Sequence, residues 1–75
     1  MRANEVIARA KFNIEKELEY CDKVDTPYIC EMIKTPKGRK QVIDTILGLV
    51  AQRGFSISMA IAEQERLLNP RYSSN

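Results

Sequence analysis

The stretch "TPKGRKQVIDTILGLVAQRGF", residues 35–55, carries the signals that bound a helix at both ends and an apolar interior between them. Thr35 stands where an N-cap is needed. Pro36 takes the first helical position, where a missing N–H costs nothing and a fixed φ suits the helix. Gly54 fits the left-handed position just past the C-terminus, and Phe55 is the apolar residue that commonly follows it. Between these ends, Val42, Ile43, Ile46, Leu47, Leu49 and Val50 cover a wide arc at helical spacing. Residues 36–53 therefore predict a central helix with neighbours on more than one side. Gly48 lies mid-helix, at a cost of up to about 1 kcal/mol against alanine, and suggests a point where another helix approaches closely.

Upstream, Pro36 closes a shorter element, because the residue before a proline is biased away from the helical region. The same Thr-Pro signal occurs nine residues earlier, at Thr26-Pro27. It predicts a short helix over residues 27–34, capped by Thr26 and burying some of Tyr28, Ile29, Met32 and Ile33. Residues 22–25 read as a connector. Before it, Ala3, Ile7, Ala10, Ile14, Leu18 and Cys21 recur at steps of three and four, which predicts a helix over residues 4–21 with Asn4 as N-cap. Phe12 and Tyr20 lie off that stripe and are candidates for a partner-facing surface. Downstream, Ser56 or Ser58 caps a helix over residues 57–69, with Ile57, Ala60, Ile61, Leu67 and Leu68 inward and Asn69-Pro70 as its stop. The expectation is an all-α fold. Three long helices (4–21, 36–53, 57–69) and one short one (27–34) form a small bundle in a single domain of residues 1–69. Residues 70–75 form a polar tail in which Tyr72 alone could act as a pin.

Composition agrees with a folded helical domain. The 75 residues are 44% hydrophobic and 29% charged, too apolar for a disordered chain. A core this small is marginal for a monomer, and self-association is one remedy. The net charge of +2 is nearly balanced, whereas dedicated nucleic-acid binders are usually more basic. The N-terminus shows no continuous apolar segment of a signal peptide, and the run 46–51 is far too short to span a bilayer. A cytoplasmic protein is the resulting expectation. In that setting Cys21 and Cys30 are expected as free, half-buried thiols, while their spacing also permits a disulfide.

The sequence argues against an enzyme. It has no histidine, the commonest general base, and so no imidazole to activate either thiol. Two cysteines alone cannot complete a four-ligand zinc site, and no cofactor motif is present. Glu63 and Glu65 are two apart and point to different sides of a helix, so they do not form a catalytic pair. The stretch "LVAQRGFSISMAIAEQERLL", residues 49–68, superficially offers a helix-turn-helix. Arg53 and Glu63 fall where apolar packing residues are required, and an acidic second helix would be repelled by phosphates.

One feature stands apart. "KTPKGRK", residues 34–40, holds four cations and no acid, and it opens a helix. The N-terminal end of a helix is positive, so Lys37, Arg39 and Lys40 are each disfavoured there by a few tenths of a kcal/mol, on the order of the dipole effect. A solvated turn is the simpler explanation. The sharper one is an anion or partner seat made by Lys34, Lys37, Gly38, Arg39 and Lys40, with Gly38 giving a ligand access to the backbone N–H groups. Two functions follow. The first is a non-catalytic protein-interaction or regulatory module (an adaptor, inhibitor or accessory protein), with a protein partner or a second copy of itself. The alternative is a nucleic-acid-associated protein that holds phosphates through residues 34–40.

Overall fold

The computed structural model describes residues 3–73, with side chains through residue 71. It is an all-α bundle with the element order α1 (Ala3–Leu18), α2 (Pro27–Met32), α3 (Pro36–Arg53), α4 (Ile57–Leu68) and α5 (Pro70–Ser73). No strand occurs among the described residues, and no helix among them is long and apolar enough to cross a membrane. Helix α3 is the centre, packed against α1, α2 and α4. The core is continuous: Ile14 and Leu18 from α1, Ile29 from α2, Val42, Ile43, Ile46 and Leu49 from α3, Ala60 and Ile61 from α4. Leu47 and Val50 are half-buried against it. The wide arc of α3 is therefore used on several sides, as its spacing implies.

Local chemistry sets most helix ends. The Thr35 hydroxyl accepts from the Gly38 N–H at 3.0 Å, and the Ser56 hydroxyl accepts from the Met59 N–H at 3.2 Å. Ser56, not Ser58, is thus the cap of α4. At the end of α3, Gly54 has φ of 69°, the left-handed conformation, and the Phe55 N–H donates back to the Leu49 carbonyl at 3.3 Å. That six-residue closure satisfies a carbonyl the helix leaves open and turns Phe55 onto the core. The α1 helix ends at Leu18, three residues before Cys21, because the chain tightens into i→i+3 bonds from Tyr20 to Glu17 and from Cys21 to Leu18. Asn4 lies inside α1 and not at its cap. Residues 70–73 form a turn of helix against α4. The Tyr72 side chain and residues 74–75 lie outside the described residues.

Two glycines exchange roles relative to expectation. Gly48 has no neighbour within 4 Å of a Cβ placed there, so no helix approaches it. Gly38 is buried where the end of α2 meets the start of α3, and a Cβ on it would overlap the Met32 carbonyl oxygen. The close approach is made at Gly38.

The inner sides of α1 and α4 also differ from their stripes. Ile7 belongs to the predicted buried stripe of α1 but is 47% exposed. Residues 3–9 are all exposed, whereas further along α1 Lys11 reaches Asp44 of α3 at 3.8 Å and Ile14 and Leu18 are buried. The overhang leaves the bundle elongated. Its radius of gyration is 12.3 Å, where about 11 Å is typical of a compact chain of this length. On α4, Leu67 is 42% exposed, and the stripe takes in Gln64 instead.

The two glycines give opposite outcomes on substitution. Gly48→Ala should raise the thermal midpoint, by up to about 1 kcal/mol in stability from helix propensity alone. Gly38→Ala should lower it by about 1–3 kcal/mol, the range for overpacking. Thermal unfolding followed by circular dichroism separates the two, and equal effects would disprove the assigned roles.

Candidate functional site

The basic segment 34–40 is held in place by acids from three helices. Lys34 Nζ lies 2.6 Å from Glu31 Oε2 at the end of α2. Arg39 Nη2 is 3.9 Å from Glu15 of α1, and Lys40 Nζ is 2.8 Å from Asp44 one turn further along α3. Asp44 also receives Lys11 of α1 at 3.8 Å. These hydrogen bonds hold the Glu31 and Asp44 carboxyls below the usual carboxylate range, with the Lys34 and Lys40 ammonium groups raised in turn. The carboxyl values are depressed in the fold, so their contribution is present at neutral pH and is lost as acid protonates them. All four groups face solvent, where such pairs contribute little. Lys37 alone of the four cations has no acidic partner among the described residues.

The structure corrects the role given to Gly38. The space a ligand would need above its backbone is filled by the Met32 carbonyl. The donors are also spent. Pro36 has none, the Gly38 N–H goes to Thr35, and the Arg39 N–H donates to the Thr35 carbonyl at 2.9 Å. Only the Lys37 N–H remains of the first turn. The segment brings its cations together but not an open backbone cradle.

The helix start that does bind an anion is that of α2, and the anion is internal. The Tyr28 and Ile29 N–H groups donate to Glu65 Oε2 and Oε1, each at 2.9 Å. Thr26 makes no side-chain cap. It is buried, and its hydroxyl donates back to the Asp22 carbonyl at 2.8 Å. Asp22 Oδ1 in turn accepts from the N–H groups of Val24 and Asp25, at 2.9 and 2.7 Å, which folds the connector. Glu63 faces the other way, in a two-bond pair with Arg66 at 3.0 and 2.6 Å. The two acids are thus separated, as their spacing implies. The sequence offered one clue to Glu65: α2 has no acid in its own first turn.

Both candidate partner residues are exposed. Phe12 is exposed on α1 with the Lys16 ammonium 5.7 Å from its ring centre. Tyr20 is 80% exposed in the turn after α1. The surface missed by periodicity is at the start of α1, where Val6 is 50% exposed beside Ile7. Both cysteines are free and half-buried. The Cys30 thiol donates to the Cys21 carbonyl at 3.8 Å, and Cys21 to the Glu17 carbonyl at 3.9 Å. Burial pushes the Cys21 thiol up, against a smaller opposing hydrogen bond from Thr26. No cluster of metal-binding side chains occurs among the described residues.

No family model, curated protein or solved structure matches the chain.

Glu65→Gln leaves one acceptor for two backbone donors and removes the charge. It should cost about 1–2 kcal/mol in urea unfolding, the range for losing a charge-assisted cap. It should also speed amide exchange at Tyr28 and Ile29 before the rest of the bundle; unchanged protection at those two amides would refute the internal cap. Separately, Cys21 should be alkylated by iodoacetamide at pH 8 more slowly in the folded protein than in urea.

Proposed function

We propose that the protein is a small, non-catalytic protein-interaction module of adaptor, inhibitor or accessory type, acting in the cytoplasm and pairing with a second copy of itself. The observation that carries this is the overhanging start of α1. Val6 and Ile7 are neighbouring large apolar residues, each about half exposed, on a helical segment whose residues 3–9 are all exposed. Ile7 lies on the same stripe as Ile14 and Leu18, so a partner seated there would extend the existing core. A chain this short gains from such an extension. The absence of histidine and the raised Cys21 thiol both support a binding role over a catalytic one. The alternative, phosphate binding through residues 34–40, draws support from Lys37 and is weakened by the acids that occupy Lys34, Arg39 and Lys40.

Sedimentation equilibrium decides between them. The wild type should show twice the chain mass of 8.6 kDa. Val6→Glu with Ile7→Glu should restore the single mass without loss of helicity. A wild-type monomer at millimolar concentration removes the homodimer. Salt-dependent retention on a nucleic-acid column, abolished by Lys37→Gln, would favour the alternative.

A further inference from the structure

The thiols of Cys21 and Cys30 converge on one hydroxyl. Cys30 Sγ lies 3.9 Å from Thr26 Oγ1, and the same hydroxyl hydrogen-bonds the Cys21 thiol. Helical side chains lean toward the helix N-terminus, which carries the Cys30 sulfur back from α2 over the connector. There it reaches the main chain of Cys21, 3.8 Å from the carbonyl oxygen. That sulfur and that oxygen are each two bonds from their own Cα. The two Cα atoms therefore lie near the span of roughly 4.4–6.8 Å that a disulfide bridges. Residues 21–26 are not helical and can take up the remainder. Turning Cys21 about χ1 toward Cys30 gives up a weak thiol contact, at 3.9 Å, with the Glu17 carbonyl.

The pair is also reachable from solvent. Cys21 lines an open recess of about 210 Å³ together with Glu17, Tyr20, Asp22, Asp25 and Thr26. Three carboxylates there repel anionic reagents and admit small uncharged ones. We propose that hydrogen peroxide joins Cys21 and Cys30 in a disulfide that staples the end of α1 to α2, and that thiols reopen it. The Cys21 thiolate, which faces the recess, attacks the O–O bond and becomes a sulfenic acid; the hydroxide that leaves takes up a proton. The Cys30 sulfur then displaces the sulfenic hydroxyl, and its thiol proton leaves with that hydroxyl as water. The balance is two thiols and one hydrogen peroxide to one disulfide and two waters. Reopening by two molecules of a thiol returns both cysteines and leaves the reductant as its own disulfide. A reducing compartment keeps the thiol form at rest, and a disulfide formed there is a transient, redox-sensing one.

The test uses the full, reduced chain with hydrogen peroxide as oxidant. Trypsin cuts after Lys23, between the cysteines, so the bridged protein yields residues 17–23 joined to residues 24–34. That linked mass should dominate whatever the chain concentration and vanish with dithiothreitol. Cys30→Ser should stop at the Cys21 sulfenic acid, captured by dimedone. Closing a short loop restricts the unfolded chain, so bridging should raise the thermal midpoint. By the same linkage, the equilibrium constant for forming the bridge against glutathione should be at least tenfold larger in the folded chain than in urea. The proposal is overturned by thiols that stay free or pass unlinked to sulfinic acid, or by bridges formed only between chains. A thermal midpoint that falls on bridging, or equal constants in the folded chain and in urea, overturns it as well.

Discussion

A six-residue helix cannot hold itself together in water, because its nucleation cost exceeds what so few hydrogen bonds return. Helix α2 exists here because Glu65, thirty-six and thirty-seven positions away in sequence, closes its first two N–H groups with both carboxylate oxygens. The negative charge also meets the positive end of the helix. At the other end of α2, the Met32 carbonyl settles over Gly38. Between these two fixings Ile29 is driven fully into the core. The short helix is thus a wedge pinned by α4 at one end and α3 at the other, and the three elements share one register.

Electrostatic placement in the basic segment follows a similar logic at lower stakes. Cations at a helix start are misplaced with respect to its dipole, and two of the three in α3 have an acid nearby: Arg39 uses Glu15, and Lys40 uses Asp44. Because these pairs are solvent-exposed they contribute little to stability. Their stronger effect is on geometry. Lys11 and Glu15 lie one turn apart on α1, and they meet Asp44 and Arg39 of α3 in reverse order, as antiparallel helices require. Opposite charges in that order favour one crossing of α1 over α3 against its neighbours.

Where the cause of a feature is local, the sequence displays it. The ends of α3 follow from Thr35, Pro36 and Gly54, and the start of α4 follows from Ser56. The same Thr-Pro pair at position 26 has a different outcome, because whether a threonine caps depends on what else its hydroxyl can reach. Asp22 diverts it, and Glu65 replaces it. Periodicity placed Ile7 on the correct side of α1, since its face is a property of the helix; whether a neighbour covers that face is a property of the bundle. Gln64 is the reverse case. It occupies a core position by spacing, and polarity alone excluded it from the stripe. The proposed contact residues therefore came mostly from geometry, while the fold class came from pattern.

The overhang of α1 has a thermodynamic consequence. Residues 3–9 form helical turns but are all exposed, so their opening free energy lies at the low end for the bundle. A molecule docking on Val6 and Ile7 must hold those turns fixed as well as cover them. Part of the interaction energy then goes into chain ordering, and affinity falls below what the apolar area would give for a rigid face.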